Sequence, residues 1–224
     1  MSSAPYYADD LITLYHANCL EDVRWLAADV LVTDPPYGMG YTGFGGRKGE
    51  PRRESGPLGV VGDEDSAARD IALRAWGGDK PALVFGKWTV ARPEGTKQRL
   101  IWDKTPCGFL GDLSLPWGGA EEEIYVLGSG FVGKREANIL RCPTLMSSDT
   151  RRPDHPTPKP VPLMEMLLAK TVGVVADPFA GSGATLIAAR HLGRKVIGVE
   201  VEERYCELIA TRLAQQSFDF GEIA

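Results

Sequence analysis

Short apolar runs alternate along the chain with longer segments in which apolar residues recur every three or four positions. Short runs bounded by turn residues indicate buried strands, whereas the longer periodic segments indicate amphipathic helices. The pattern predicts strands at residues 11–15, 29–33, 81–85, 99–103, 122–127, 172–176 and 195–199. It predicts helices at residues 20–27, 65–76, 161–170, 183–192 and 202–215.

The regular alternation of strands and helices predicts an α/β fold with a mixed, largely parallel sheet and helices on both faces. The strands at 99–103 and 122–127 are expected to be antiparallel, because no long crossover separates them. The chain has 224 residues, of which 43% are hydrophobic, and it shows no internal repeat and no linker. We therefore predict one domain over residues 1–224, built around one core. Trp102 and Trp117 are expected to belong to this core rather than to a pocket wall.

Composition narrows the function classes. The formal net charge is −5, so any contact with nucleic acid must use local basic patches. The four cysteines are scattered without a CxxC pair, which indicates neither zinc nor a disulfide framework. No apolar run reaches membrane length, and the start of the chain lacks an export signal. The sequence thus predicts a cytoplasmic protein that uses no metal and no membrane.

Two segments interrupt the alternation and are rich in basic residues. Residues 41–62 are glycine-rich and are predicted to form a mobile basic loop, and residues 128–154 form a second insertion. A solvated loop is the alternative interpretation of each. Because both border the candidate chemistry, we expect phosphate contacts from Arg47, Lys48, Arg52, Arg53, Lys134, Arg135, Arg141, Arg151 and Arg152.

Asp34-Pro35-Pro36-Tyr37 follows the apolar run 29–33 and is expected at the end of a strand. An aromatic amine is a poor nucleophile, and a site activates it by accepting hydrogen bonds as positive charge develops on nitrogen. The Asp34 carboxylate is one acceptor, and the Pro35 carbonyl is a second because Pro36 holds Pro35 extended. Tyr37 offers a flat face to a base. The motif predicts a catalytic role for all four residues, although an Asp-Pro pair alone would indicate only a turn.

A second motif, Asp177 to Thr185, contains the turn Asp177-Pro178-Phe179-Ala180-Gly181-Ser182-Gly183 between a predicted strand and a predicted helix. Such a turn places backbone N–H groups and the positive helix end in one pocket, which suits the carboxylate of an amino-acid moiety. Asp177 can pair with its ammonium, and Glu200, at the end of the next strand, can bind ribose hydroxyls. The turn lacks the glycine pattern of dinucleotide and triphosphate sites. A plain strand-to-helix turn is the alternative.

The third motif, His155-Pro156-Thr157-Pro158-Lys159-Pro160, leads into the helix before that strand. Prolines at a helix start are often only structural. The functional interpretation is a wall of the cofactor pocket, with Thr157 or Lys159 near the amino-acid end of the ligand. No histidine or cysteine lies at metal-ligand spacing from His155.

These three motifs, in this order, resemble those of the amino-group DNA methyltransferases of the beta arrangement, in which the catalytic motif precedes the cofactor motif. The likeness covers about residues 11–213. It implies a seven-stranded S-adenosylmethionine-dependent methyltransferase fold, S-adenosylmethionine as donor, and DNA as partner, with a flipped adenine or cytosine as acceptor. It also implies that Asn18 lies near the cofactor adenine, although the chain has Ala17-Asn18 where the family usually has Gly-Asp.

The complete prediction for the cofactor site comprises Asn18, Asp34, His155, Thr157, Lys159, Asp177, Phe179, Ala180, Gly181, Ser182, Gly183, Thr185 and Glu200. The resemblance associates an initial Asp in the catalytic motif mainly with N6-adenine and an initial Ser mainly with N4-cytosine. Adenine is therefore favoured over cytosine. A methyltransferase of RNA or of protein glutamine and a silent DNA-binding module are the further alternatives. Residues 128–154 are where the family recognises its target; since this segment is short, either the target site is short or a second subunit, as in a homodimer, contributes.

Overall fold

The computed structural model describes residues 4–36, 66–106, 114–144 and 152–219. Its strands are β1 (Tyr7–Ala8), β2 (Ile12–His16), β3 (Val30–Thr33), β4 (Ala82–Gly86), β5 (Gln98–Asp103), β6 (Glu121–Leu127), β7 (Ile139–Arg141), β8 (Val175–Asp177) and β9 (Val196–Glu200). Its helices are a 3-10 helix (Arg24–Ala27), α1 (Ala67–Trp76), α2 (Val161–Leu168), α3 (Ala184–His191) and α4 (Glu203–Asp219).

The described strands form one mixed sheet in the order β1-β2-β9-β8-β3-β4-β6-β5-β7. The five strands from β2 to β4 in this order are parallel, and β6 runs antiparallel to both of its neighbours, β4 and β5. All seven predicted strands are present, and the antiparallel pairing of β5 with β6 is confirmed. The short strands β1 and β7 extend the sheet to nine. They were not predicted because runs of two or three residues carry no recognisable periodicity.

Helices cover both faces of the sheet, as predicted. On one face α2, α3 and α4 bury Leu163, Leu186 and Ile209 against the sheet. On the other face the 3-10 helix and α1 bury Trp25 and Trp76, whose rings stack with centroids 5.9 Å apart. Each helix places an apolar stripe against the sheet, which explains why its sequence periodicity is recognisable.

The predicted helix at residues 20–27 is wrong, since only the 3-10 helix Arg24–Ala27 forms there. The cause is local competition from polar side chains. Asn18 Oδ1 accepts a hydrogen bond from the Leu20 N–H, and Asp22 Oδ1 accepts one from the Arg24 N–H. Asn and Asp side chains that bond to nearby backbone groups in this way favour turns over helix.

The carboxyl ends of the parallel strands meet at one edge of the sheet. Strand β3 ends just before Asp34, whereas β8 ends at Asp177 and β9 at Glu200. Because β6 is antiparallel, its first residues, beginning at Glu121, reach the same edge. This topology gathers four acidic residues from distant parts of the chain, and in such sheets ligands bind at that edge.

Candidate active site

A cavity of about 980 Å³ opens at the carboxyl edge of the parallel strands. Ligand sites of this size accommodate a small molecule with most of its surface buried. Most of the predicted site residues line it, namely Asn18, Asp34, Pro35, Pro36, His155, Thr157, Lys159, Asp177, Phe179, Ala180, Gly181, Ser182, Thr185 and Glu200. The catalytic and cofactor predictions thus converge on one cavity.

The glycine turn forms one wall of the cavity. Gly181 and Gly183 have φ values of +50° and +79°, which side chains other than glycine rarely adopt. A Cβ atom on Gly183 would lie 2.7 Å from Ile209 Cγ1, so this glycine sits directly behind the cavity, against α4. Helix α3 begins at Ala184, the next residue. The turn therefore presents the positive end of α3 to the cavity.

Asp177 links the strand of the catalytic motif to the strand of the cofactor motif. Its side chain is 3% exposed, and its Oδ1 accepts hydrogen bonds from the Thr33 hydroxyl at 2.7 Å and the Phe179 N–H at 3.2 Å. Burial raises the pKa of Asp177 to about 6, against the effect of these hydrogen bonds. Near neutral pH this group is largely ionised and can pair with an ammonium.

Glu200 is held firmly by the backbone of the turn. Its Oε2 accepts the Gly181 N–H at 2.7 Å, and its Oε1 accepts the Glu202 N–H at 2.9 Å. The side chain is 7% exposed. Burial raises the pKa of Glu200 to about 7, although these two hydrogen bonds oppose the shift. A donor on a ligand, such as a ribose hydroxyl, would favour the ionised form.

His155 forms a neutral wall of the cavity. Its Nδ1 accepts a hydrogen bond from the Thr157 N–H at 3.2 Å, and its ring lies against Tyr205 with centroids 4.6 Å apart. Burial lowers the pKa of His155 to about 3, and the charges of Lys159 and Arg152 add to this effect. The imidazole is therefore uncharged at neutral pH and presents a flat surface.

The structure places Lys159 beside the catalytic motif rather than only beside the expected amino-acid end of a cofactor. Its Nζ donates to Asp34 Oδ2 and lies 3.5 Å from Glu122 Oε2. Lys104 Nζ contacts Glu122 Oε1 at 2.5 Å. Burial disfavours the charged form of Lys159, but Asp34 and Glu122 overcome it and raise the pKa of its ammonium. Likewise burial opposes ionisation of Glu122, whereas Lys159 and Lys104 lower its pKa. Sequence reasoning missed Glu122 and Lys104; the acidic run that begins β6 was the available signal.

The Asn18 amide, predicted to contact the cofactor, already holds its own turn. Besides accepting from Leu20, it donates from Nδ2 to Glu21 Oε1 at 3.3 Å. It lines the cavity from an exposed position after β2.

The two tryptophans differ. Trp102 is 1% exposed, and its Nε1 donates to the Cys142 carbonyl, so its core assignment is confirmed. The core assignment of Trp117 is wrong, since it is 82% exposed and lines the cavity. Trp88, 70% exposed, lines it as well. An indole side chain at the mouth of a cavity can stack on a base.

The structure separates the basic residues predicted to contact phosphates. Arg141 ends β7 near the cavity edge, 83% exposed and 3.5 Å from Asp103. Arg152 donates to the Pro156 carbonyl beside the third motif. Lys134 and its neighbour Arg135 lie instead near the opposite edge, where Lys170, beyond the end of α2, donates to the Lys134 carbonyl. Lys134 and Arg135 therefore do not join the cavity. Tyr37, Arg47, Lys48, Arg52, Arg53 and Arg151, and the whole predicted loop 41–62, lie outside the described residues.

The described residues contain neither a metal cluster nor a membrane-spanning helix. Within residues 4–36, 66–106, 114–144 and 152–219, no group of three or more His, Cys, Asp or Glu side chains is arranged to hold a metal ion. No helix in this part of the chain combines the length and the apolar character needed to cross a bilayer.

Comparisons with known proteins identify the family of this chain. A family model described as DNA methylase, N6_N4_Mtase, matches residues 87–211. The protein named "Putative methylase YubD" of Escherichia coli (strain K12) is 44% identical over 208 residues, which cover 84% of this chain and 82% of YubD.

Solved structures give the same picture of the fold. The PvuII cytosine-N4-specific DNA methyltransferase matches with a TM-score of 0.62 and 15% identity, covering 93% of this chain and 88% of that one. The M1.HpyAVI–SAM complex matches with a TM-score of 0.59 and 21% identity, covering 90% of this chain and all of that one. Together these likenesses confirm the fold that the motifs predicted.

Proposed function

Because the chain belongs to the N6_N4_Mtase family of DNA methylases, we propose that it transfers a methyl group from S-adenosylmethionine specifically to the N6 amine of adenine in DNA. Its membership makes it an amino-group DNA methyltransferase that uses S-adenosylmethionine. The observation that carries the proposal is the shared cavity, in which Asp34 and Pro35 border the same space as the glycine turn and Glu200.

The residues present fit S-adenosylmethionine. The positive end of α3, which begins directly after the glycine turn, suits the carboxylate of its methionine moiety. Asp177 suits the ammonium, because it is largely ionised near neutral pH. Glu200 suits the ribose hydroxyls, and the neutral His155 ring adds an apolar wall. When bound, the cofactor supplies an electrophilic methyl group on its sulfonium.

The catalytic motif supplies acceptors for the target amine. As the amine nitrogen forms its bond to the methyl carbon, the carbon–sulfur bond breaks and the nitrogen becomes cationic. Asp34 and the Pro35 carbonyl accept hydrogen bonds that strengthen as this charge develops. The excess proton then leaves the nitrogen for Asp34 or water. Tyr37, and Trp117 at the cavity mouth, offer flat faces to the extruded base.

Adenine is proposed as the acceptor because the motif begins with Asp34. The family resemblance associates this residue mainly with adenine. The N4 amine of cytosine is chemically similar and is the alternative that the assay below distinguishes. Methylation of RNA is the third outcome it separates.

The proposed DNA surface follows the carboxyl edge of the sheet. Arg141 and Arg152 lie there, and the predicted basic loop 41–62 would adjoin it in sequence. Lys134 and Arg135 are left out of the proposed DNA surface, because they lie near the opposite edge of the sheet. Of the predicted recognition segment 128–154, the part from Arg141 onward, which starts at this edge, is proposed to read the target. A homodimer is the proposed arrangement that would enlarge so short a reading segment. The proposed location of the protein is the cytoplasm.

The test combines product analysis with one substitution. Protein incubated with labelled S-adenosylmethionine and genomic DNA should yield N6-methyladenine on nucleoside digestion, whereas N4-methylcytosine alone would overturn the adenine assignment. Asp34→Ala removes an acceptor from the developing cation and should slow single-turnover methylation by ~100-fold or more. Asp10→Ala, which removes an exposed carboxylate remote from the cavity, is the matched control. Near-normal turnover of the Asp34 variant would refute its catalytic role.

A further inference from the structure

We infer that Lys159 and Glu122 are positioning residues that hold the Asp34 carboxylate in the orientation and charge state needed to receive the target amine. The inference rests on the proposed function and assigns roles to two residues outside the catalytic motif. Its basis is a chain of alternating charges in the order Asp34, Lys159, Glu122 and Lys104.

The position of Lys159 is set by protein groups rather than by solvent. Its side chain is 6% exposed, whereas those of Asp34 and Glu122 are 22% and 23% exposed. A buried ammonium is stable only where opposite charges surround it. The Nζ atom lies between these two carboxylates and 5.1 Å from the Phe85 ring centroid. Lys159 is thus a fixed contact for Asp34, unlike a flexible surface lysine.

The ion pair fixes the orientation of the Asp34 carboxylate. Lys159 Nζ donates to Asp34 Oδ2. A carboxylate held through one oxygen cannot rotate freely, and preorganised acceptors are more effective than mobile ones. Pro35 and Pro36 restrict the backbone at the same point. The prolines thus restrict the backbone next to Asp34, and Lys159 restricts the rotation of its carboxylate.

Glu122 offsets the positive charge that Lys159 places beside Asp34. A lone ammonium beside Asp34 would compete with the amine for the carboxylate and would repel the positive charge that develops on it. Glu122 shares the Lys159 charge, and Lys104 in turn holds Glu122 at 2.5 Å. Together with Asp34 the chain of four charges is neutral overall, so Asp34 stays ionised without an excess of positive charge nearby.

This arrangement makes the two residues act on Asp34 in opposite directions. Lys159→Met removes the cation beside Asp34 and leaves Glu122 repelling it, so the pKa of Asp34 should rise. Glu122→Gln leaves the whole Lys159 charge to Asp34, so the pKa of Asp34 should fall. A substitution that merely loosened the fold would not produce opposite shifts. Among the described residues, His155 and Asp177 also face this network. Both groups remain in the two variants, as does Lys104, the fourth member of the network.

The test reads Asp34 directly. Carbonyl ¹³C NMR titration of aspartate-labelled protein, with the Asp34 signal assigned through Asp34→Asn, should show a higher pKa in Lys159→Met and a lower one in Glu122→Gln. Lys159→Arg, which keeps the charge, should restore most of the parent titration. The matched control is Lys170→Met, which removes a lysine paired with Glu136 at the opposite edge and should leave Asp34 unchanged.

Single-turnover rates at saturating cofactor and DNA provide the second readout. Lys159→Met and Glu122→Gln should each be about 10- to 100-fold slower, as when the side chains that orient a metal-binding residue are removed. Cofactor affinity should change less than the rate. An unchanged Asp34 titration in both variants, or shifts in the same direction, would overturn the inference. If Lys159→Met fails to fold, the direction of the Asp34 pKa shift in Glu122→Gln tests the inference alone: a fall supports it and a rise or no change overturns it. If the parent methylates no nucleic acid, the proposed function fails, whereas the titration still tests the network.

Discussion

Replacing Glu200 by Gln should remove most of the pH dependence of S-adenosylmethionine binding. Burial raises the pKa of Glu200 to about 7, and its backbone hydrogen bonds only partly offset that effect. A ribose hydroxyl donates to the carboxylate more strongly than to the neutral acid. Binding should therefore favour the ionised form, and affinity should increase as pH rises through the pKa of the unliganded protein.

The magnitude follows from the ionised fraction. With a pKa of about 7, ~9% of Glu200 is ionised at pH 6 and ~76% at pH 7.5, so the apparent dissociation constant should fall by ~8-fold, or about 1.2 kcal/mol. Isothermal titration calorimetry at both pH values measures this change. Glu200→Gln is isosteric and should flatten it while binding more weakly at pH 7.5.

Asp177 and the amine of the cofactor also titrate, but they are present with parent and variant alike, so the difference between the two proteins reports on Glu200.

The free energy of unfolding gives an independent check, because it should fall with rising pH whereas cofactor affinity should increase. A carboxyl group whose folded-state pKa is raised destabilises the fold as pH climbs from its unfolded value of 4.5 toward 7. The unliganded parent should lose stability over that window relative to Glu200→Gln. An equally steep pH dependence of cofactor affinity in the variant would refute the role of Glu200.

Three further predictions concern other parts of the molecule. Gly183→Ala should reduce the free energy of unfolding by at least ~1 kcal/mol, because φ is +79° and the new Cβ would lie 2.7 Å from Ile209. Calorimetry should show a lower melting temperature, and an unchanged one would contradict this packing. Trp117→Ala should weaken DNA binding in a gel-shift titration by ~1–3 kcal/mol through lost base stacking, with cofactor affinity retained; unchanged DNA affinity would contradict the stacking role. Joint neutralisation of the predicted loop should weaken DNA binding and reduce the log-log salt slope by ~0.9 per lost phosphate contact, whereas an unchanged slope would indicate a solvated loop. The residues neutralised are Arg47, Lys48, Arg52 and Arg53.

Sequence reasoning succeeded where the signal was local or periodic. The seven main strands and the meeting of Asp34, Asp177 and Glu200 at one edge follow from apolar runs and from the rule for parallel sheets. The contact between Lys159 and Asp34 could not be predicted from the sequence, because the two residues are 125 positions apart and no local pattern links them. Glu122 was missed for a different reason, since it reaches the site only because β6 runs antiparallel.

The failed helix at 20–27 illustrates a limit of periodicity itself. Its apolar spacing is compatible with a helix, but Asn18 and Asp22 bond to the neighbouring backbone and stabilise turns. The misassigned Trp117 illustrates another limit, because hydrophobicity favours burial even for a side chain at the mouth of a cavity.

The pairing of β3 with β8 has a consequence for how this protein is made. Val30 pairs with Val175, so about 145 residues must be synthesised after Val30 before the neighbour on that side of β3 exists. At typical translation rates this takes roughly 7 to 30 s. During that interval the nascent chain carries a strand that is fully buried in the folded protein but still has an open hydrogen-bonding edge, which is a site for premature association. The interval between the synthesis of β2 and that of its partner β9 is longer still. We expect ribosome-bound chains stalled before β8 to be protease-sensitive at β3 and to recruit chaperones, and the catalytic centre to form only as the last strands emerge.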